Sequence, residues 1–125
     1  MVGVMHYLGL DMVEIARIEG AIARWGTRFL HRVYTEAEIR YCRNRVPELA
    51  VRFAAKEAAM KALGTGIRGV GWREIEILAN QEGTPSVHLY GRARSRSEKL
   101  GLSDLAVSLS HSREYAIASV VGGGK

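Results

Sequence analysis

The run from Arg52 to Leu63 constrains the fold more than any other part of the chain. It is rich in Ala, Lys, Glu, Met and Leu, which are strong helix formers, and it contains neither Gly nor Pro. Gly64 follows at the position just past a helix end, where a glycine is common. The run therefore predicts a long helix that ends at the Gly-Thr-Gly turn 64–66.

Three residues of this predicted helix share one face. Phe53, Glu57 and Lys61 are spaced four apart, which places a carboxylate and an ammonium one turn from each other beside an apolar ring. Taken alone, Glu57 and Lys61 are best interpreted as an exposed ion pair that contributes about 0.2–0.5 kcal/mol. Next to a glycine turn, the same groups could hold a metal ion and a phosphate.

Composition limits the class of protein. With 125 residues, 47% of them hydrophobic and 25% charged, the chain suits one globular domain, and we expect it over 1–121 with a frayed tail over 122–125. The net charge of +5 indicates an acidic partner or substrate. A single cysteine, Cys42, and the lack of a signal peptide or a membrane-spanning apolar run favour the cytoplasm.

The first half of the chain has clear local signals. Val4 to Leu10 is a short apolar stretch that suits a strand, and an apolar stripe of helical spacing follows until Gly26. Thr35 and Glu38 have the spacing of a capping box, and Pro47 suits the first turn of the next helix. The stripe consists of Ile15, Ile18, Ile22 and Trp25.

The second half has mostly the patterns of strands. Alternating residues and turn signals predict a β-hairpin and two further strands, with a short basic helix from Arg92 to Leu100 between them. Together with the helix at Arg52, these patterns predict an α+β fold in which a small antiparallel sheet packs with a long central helix. The predicted strands cover 74–77, 87–90, 105–109 and 115–121.

Asp11 has two interpretations. With Glu14 three residues later, it could be the N-cap of a helix, which is the role that the local sequence favours. It could instead be a metal-binding carboxylate at the end of a strand, and the two roles are compatible. If Asp11 and Glu57 met, they would suit Mg²⁺, which usually takes one or two protein carboxylates and completes its shell with water and phosphate oxygens.

Basic residues suggest two further surfaces. Arg17, Arg24 and Arg28 lie on one face of the predicted first helix and its continuation, either as a solvated face or as a dock for an acidic partner helix. His111 lies at a turn between strands, where solvation is the more common role and phosphate contact the less common one. A third group, which would make a phosphate environment, consists of Arg40, Arg43, Arg45 and Arg52.

Two segments resemble a known family. Residues 9–19, around Asp11, and residues 52–66, around Glu57 and Lys61, are similar to the signature pair of the holo-acyl-carrier-protein synthases, which are small bacterial 4'-phosphopantetheinyl transferases. The hairpin after Gly71 and the ending 108–116 also resemble this family. The resemblance covers nearly the whole chain.

The resemblance implies a reaction and a site. A transferase of this kind moves the 4'-phosphopantetheine group of coenzyme A to a serine of apo-acyl carrier protein in fatty acid biosynthesis. It implies that Asp11 and Glu57 bind Mg²⁺ and that Lys61 contacts phosphate, these three being the catalytic residues. Arg52, Gly64 and His111, with Lys61, would hold coenzyme A.

The resemblance also implies partners. Arg17 and Arg24 would face the acidic helix of the carrier, and the chain would form a homotrimer with its sites between subunits. The base that takes the serine proton stays open between Glu57 acting through water and a water at the metal.

Two rival functions belong to other classes. A basic nucleic-acid-binding domain fits the charge, but aromatic residues are only 7% and no recognised motif is present. A carrier-binding module without activity would use the arginine face and leave Asp11 and Glu57 unexplained.

Overall fold

The computed structural model describes residues 6–124, apart from the side chain of Ser103. Five helices follow the first strand, and a short 3₁₀ turn over Trp72–Glu74 precedes the second strand. In chain order the elements are β1 (His6–Glu14), α1 (Ile15–Trp25), α2 (Thr27–Val33), α3 (Glu36–Cys42), α4 (Val46–Leu63), α5 (Gly66–Gly69), β2 (Ile75–Ala79), β3 (Pro85–Leu89), α6 (Gly91–Lys99), β4 (Leu102–His111) and β5 (Tyr115–Gly124).

Helix α4 is the centre of the fold. It begins with Pro47 in its first turn and ends at Gly64, which adopts the left-handed conformation with φ of 71°. Most of its residues are buried, and the face toward the sheet is made of alanines that let strands approach closely. These alanines are Ala54, Ala55, Ala58, Ala59 and Ala62. In the part of the chain that the structure describes, no helix combines the length and apolarity needed to cross a membrane.

An antiparallel sheet of three strands, in the order β1-β5-β4, covers α4. Strand β5 lies in the middle and pairs along its length with both neighbours. Strands β2 and β3 form a separate hairpin, and β2 contacts α3 and α4. The predicted α+β fold with a small antiparallel sheet on a long central helix is therefore confirmed.

The N-cap prediction for Asp11 is wrong. Strand β1 continues through Asp11, which pairs with Ala118, and ends at Glu14, which pairs with Tyr115. Helix α1 starts only at Ile15, and its N-cap residue Glu14 makes no side-chain cap hydrogen bond. Because β1 pairs with β5 through Asp11 and on to Glu14, the strand continues past Asp11, and the capping preference of Asp11 is not realised. Gly26 ends α1 as predicted.

The predicted frayed tail is also wrong for 122–124. Strand β5 continues to Gly124, and Gly122 pairs with Tyr7 on one side and Leu105 on the other. Gly122 is buried so tightly that a Cβ there would lie 2.6 Å from Cδ2 of Leu105. The glycines thus allow close packing of the final strand. Lys125 and the start of the first predicted strand, Val4 and Met5, lie outside the described residues.

Helix α3 begins at the predicted capping box and ends at a left-handed turn. The Thr35 side chain accepts a hydrogen bond from the Glu38 main chain, and the Glu38 side chain accepts one from the Thr35 main chain, so the capping box is confirmed. The helix stops at Cys42 because Arg43 and Asn44 have positive φ values of 49° and 61°. This turn directs the chain into α4.

Candidate functional site

The structure brings Asp11, Glu57 and Lys61 together. Asp11 lies on the side of β1 that faces α4, whereas its neighbours Leu10 and Met12 point outward and are 63% and 57% exposed. The Lys61 Nζ donates hydrogen bonds to Asp11 Oδ1 at 3.0 Å and to the Leu10 carbonyl at 3.2 Å. The Glu57 carboxyl lies within hydrogen-bonding reach of Asp11. Residues far apart in sequence therefore form one polar cluster.

Gly9 allows this cluster to form. An ideal Cβ at Gly9 would lie 1.7 Å from the carbonyl oxygen of Ala58 and 3.0 Å from the main-chain nitrogen of Ala62. Only a residue without a side chain lets β1 lie this close to α4. Because Gly9 and Asp11 are two residues apart on a strand, their positions face the same side. The close approach therefore brings the Asp11 carboxylate within reach of Glu57 and Lys61.

The two carboxylates have different electrostatic surroundings. Burial and the hydrogen bond and charge of Asp11 raise the pKa of Glu57 to about 7, against the opposing charges of Arg17 and Lys61. Burial also acts to raise the pKa of Asp11, but hydrogen bonds from Glu57 and Lys61 and the charge of Lys61 outweigh it, and the pKa of Asp11 is lowered. The raised pKa of Glu57 beside the lowered pKa of Asp11 favours a proton on Glu57 over one on Asp11.

This donor set fits a divalent cation. Two carboxylates that hold a proton between them can release it and hold Mg²⁺ instead, since Mg²⁺ prefers oxygen ligands and commonly takes one or two carboxylates. Within residues 6–124, no group of three or more His, Cys, Asp or Glu side chains forms a complete metal site. The protein would therefore supply Asp11 and Glu57 and leave the remaining positions to water and substrate oxygens.

The basic face of α1 lies next to this cluster. The Arg17 guanidinium lies 5.9 Å from the centroid of the Phe53 ring and close enough to Glu57 to lower its pKa. Arg24 is exposed at the end of α1, with its guanidinium 4.9 Å from the centroid of the Trp25 ring. Beyond it an open cavity of about 760 Å³ is lined by Trp25, Arg28, Phe29, His31 and Arg32. Cationic and aromatic groups therefore cover this side of the site.

Arg52 is not brought to the cluster. Its side chain is 2% exposed, and its Nε and Nη1 donate to the Ile77 carbonyl at 2.9 Å and to Glu48 Oε1 at 2.8 Å. The Tyr41 ring lies 4.6 Å from its guanidinium carbon. Arg52 thus links α4 to the hairpin. The three other predicted basic residues near it, Arg40, Arg43 and Arg45, line an open cavity of about 350 Å³ with Tyr41.

His111 and Gly64 lie at two other places around α4. His111 ends β4 and is exposed, with Nδ1 3.4 Å from the Ser112 carbonyl. Ala116 of β5 pairs with His111 on one side and with Val13 on the other, so the three share a row across the sheet. Because β5 lies between β4 and β1 and neighbouring strands are about 4.8 Å apart, His111 lies roughly 10 Å from β1. Gly64 is exposed at the end of α4, one turn after Lys61.

Two residues near the cluster have roles that the sequence alone does not reveal. Gly9 lies within the predicted strand from Val4 to Leu10, and a glycine inside a strand often indicates close backbone approach. Lys56, next to Glu57, is a fully buried lysine whose ammonium forms an ion pair with Glu38 at 2.8 Å. No local pattern distinguishes Lys56 from the exposed lysines of a helix.

Comparison with known proteins identifies the family. The model of the 4'-phosphopantetheinyl transferase superfamily matches residues 7–120. A holo-[acyl-carrier-protein] synthase of Dehalococcoides mccartyi is 53% identical over 117 residues, which cover 94% of this chain and 98% of the relative. A holo-[acyl-carrier-protein] synthase of Herpetosiphon aurantiacus is 50% identical over an alignment of 127 positions, which covers 96% of this chain and 100% of the relative.

Solved structures agree with this match. The structure of Helicobacter pylori holo-[acyl-carrier-protein] synthase in complex with coenzyme A superposes with a TM-score of 0.85 at 34% identity, covering 92% of this chain and 98% of the other. That of the Neisseria meningitidis synthase gives a TM-score of 0.83 at 38% identity, covering 93% and 96%. The chain therefore belongs to the holo-[acyl-carrier-protein] synthase family of the 4'-phosphopantetheinyl transferase superfamily.

Proposed function

We propose that this chain transfers the 4'-phosphopantetheine group of coenzyme A to a serine of apo-acyl carrier protein, in the cytoplasm and for fatty acid biosynthesis. The observation that carries the proposal is the convergence of Asp11, Glu57 and Lys61 beside the basic face of α1. A relative with the same fold is seen with coenzyme A. The cluster offers two carboxylates for a metal ion and one ammonium for a phosphate.

Asp11 and Glu57 would hold Mg²⁺ from opposite elements, β1 and α4. When bound, the ion neutralises charge on the diphosphate of coenzyme A and on the leaving group. Lys61 is 58% exposed while its ammonium stays fixed on Asp11 at 3.0 Å. It can therefore donate a further hydrogen bond to a phosphate oxygen without leaving the cluster.

The transfer is a displacement at phosphorus. The serine oxygen forms a bond to the β-phosphorus of coenzyme A, the bond to the bridging oxygen breaks, and adenosine 3',5'-bisphosphate leaves. Lys61 would stabilise the negative charge that develops on the departing phosphate. The serine proton must pass to a base, and the chain's own candidate is Glu57 acting through a water, since it faces the same side as Lys61 on α4.

The nucleotide end of coenzyme A needs further cations. We assign Arg52 no direct contact, because its guanidinium is buried and occupied by Ile77 and Glu48. His111 is exposed on the same sheet as Asp11 and remains our candidate for a phosphate contact. Gly64, with no side chain at the exposed end of α4, leaves room for the substrate near Lys61.

The carrier would dock on α1. Arg17 and Arg24 are both exposed on this helix, and Arg17 lies near Glu57. An acidic helix held by these arginines would present its serine directly to the cluster, because docking face and carboxylates adjoin. Arg28 on α2 extends the same charge.

The outer face of the three-stranded sheet supports self-association. It exposes large apolar side chains in adjacent rows, a pattern that is unusual for a free surface and typical of an interface. Two of these residues flank Asp11, so a second copy seated here would reach the edge of the site. We therefore propose a homotrimer with its sites between subunits. The exposed residues are Leu8 (72%), Leu10 (63%), Met12 (57%), Ile117 (40%) and Val121 (40%).

Two experiments test these proposals. Incubation with coenzyme A, Mg²⁺ and apo-acyl carrier protein should add roughly 340 Da to the carrier, the mass of the transferred arm, in intact-mass spectrometry. No gain with any of several carriers would refute the transfer.

Light scattering on a sizing column should give a molar mass of three times the 13.8 kDa of the chain, and Leu8→Glu should lower this molar mass. A wild-type protein that runs at 13.8 kDa would refute the trimer.

A further inference from the structure

Lys56 is a buried charged residue that the transfer site does not use. Its side chain is 0% exposed on α4, and its ammonium contacts three oxygens. These are Glu38 Oε1 at 2.8 Å, the Trp72 carbonyl at 2.9 Å and the Ile75 carbonyl. An ammonium has three N–H donors, so Lys56 has an acceptor for each of them.

The partner of Lys56 is equally well satisfied. Glu38 is also 0% exposed, and besides Lys56 its carboxylate accepts from the main-chain nitrogens of Thr35 at 2.8 Å and Ile77 at 2.7 Å. The pair therefore ties α3 and α4 to the segment 72–77. Buried ion pairs often add little net stability compared with apolar residues of similar size, so their use is frequently positional.

The segment that Lys56 holds carries an aromatic side chain that packs on α4. The Trp72 ring stacks on Phe53, with centroids 4.8 Å apart and an angle of 23° between the planes. Phe53 lies one turn before Glu57, and the Arg17 guanidinium lies 5.9 Å from its centroid on α1. A continuous set of contacts thus leads from Lys56 through Trp72 and Phe53 to Arg17.

We propose that Lys56 is a positioning residue for carrier docking. By fixing the main chain at Trp72, it holds the platform formed by the stacked Phe53 and Trp72 rings, and the Phe53 ring of this platform lies 5.9 Å from the Arg17 guanidinium. This inference rests on the proposed docking of the carrier on α1. It predicts an effect on one substrate only, because the phosphates of coenzyme A are assigned to Lys61 and to the Mg²⁺ that Asp11 and Glu57 would hold, rather than to Arg17.

The first test removes the buried pair as a unit. In the double variant K56M/E38Q, Met fills the volume of the lysine stem, and the single amide oxygen of Gln can still accept from either Thr35 or Ile77. No unpaired charge is left buried. We expect KM for the carrier to rise about 10-fold, while kcat and KM for coenzyme A change less than about 2-fold. A lysine that is merely structural would lower the active fraction and spare both KM values, and that outcome would overturn the proposal.

The second test removes the platform and keeps the pair. Trp72→Leu leaves the main-chain carbonyl in place for Lys56 and should give the same rise in KM for the carrier. If Lys56 acts through Trp72, combining K56M/E38Q with Trp72→Leu should add nothing further. Effects that multiply in the combined variant would overturn the mechanism. Lys99→Met, at an exposed lysine on α6, is the matched control and should change neither KM.

The outcomes separate this inference from the proposed function. If the wild-type protein transfers nothing to any carrier, the proposed function fails. If the wild type is active and Trp72→Leu keeps the wild-type KM for the carrier, only the role of Lys56 fails, and this holds even if K56M/E38Q does not fold.

Trp72 fluorescence in a Trp25→Phe background gives a readout that does not depend on activity. The emission of Trp72 should shift to longer wavelength in K56M/E38Q, and an unchanged spectrum would contradict the positioning role of Lys56.

Discussion

Replacing Gly9 by Ala should separate the two halves of the candidate site. The new Cβ would lie 1.7 Å from the Ala58 carbonyl oxygen, and contacts below 3.0 Å are essentially never seen for real Cβ atoms. Strand β1 would therefore have to move away from α4 by at least about 1.3 Å, and no flexible side chain can give way because the obstacle is main chain. Overpacking of this kind typically costs about 1–3 kcal/mol of stability.

The displacement would act on Asp11 directly. Asp11 follows Gly9 by two residues on the same strand, so a shift of this size would lengthen its 3.0 Å hydrogen bond with Lys61 beyond bonding distance. It would also move the carboxylate away from Glu57. Because a misplacement of about 1 Å can cost about 10²-fold in rate, we expect Gly9→Ala to lower kcat by about 10²-fold or more.

Two assays measure this prediction. Urea unfolding gives the loss in stability, and the mass increase of the carrier over time gives kcat at saturating coenzyme A. Gly20→Ala is the matched control, since Gly20 is exposed in α1 and a Cβ there would have nothing within 4 Å. It should stabilise the protein by about 0.5–1 kcal/mol and leave kcat unchanged. A folded Gly9→Ala variant with kcat within about 3-fold of wild type would refute the role of the close approach.

Three further predictions concern charge. Glu57→Gln should abolish transfer with little change in melting temperature, and an active variant would remove Glu57 from the site. Charge reversal at Arg17 and Arg24 should raise KM for the carrier by about 10-fold or more and KM for coenzyme A much less. Charge reversal at exposed Arg94 on α6 is the control and should change neither KM. Equal effects on the KM of both substrates would contradict the docking face. Because the raised pKa of Glu57, about 7, keeps a proton in competition with the cation, Mg²⁺ affinity should fall about tenfold for each pH unit below 7 and level off above it. Calorimetry at several pH values tests this, and a flat profile down to pH 5 would contradict it.

Local signals accounted for most elements of the fold. Helix α4, its glycine end at Gly64, the Thr35 capping box and the β2–β3 hairpin were all predictable, because each depends on residues close together in sequence. The resemblance to the synthase family, confirmed by the comparisons, also came from short motifs. The meeting of Asp11 with Glu57 is a contact between elements, so the spacing of residues alone could not establish it.

The errors have the same origin. Asp11 looked like an N-cap because the sequence around it does not reveal that β5 pairs through this position. Gly122 looked like the start of a tail, although its lack of a side chain is what lets β5 pack against Leu105. In each case a distant element decides the role of the residue.

The central claim is that Asp11 and Glu57 hold one cation together. A calorimetric titration of the protein with Mg²⁺ in the presence of coenzyme A tests it most directly, alongside the variants Asp11→Asn and Glu57→Gln. We predict one ion per chain for the wild type and a loss of binding in each single variant, because each carboxylate is a required ligand. Binding of one ion with wild-type affinity in either variant would contradict the claim.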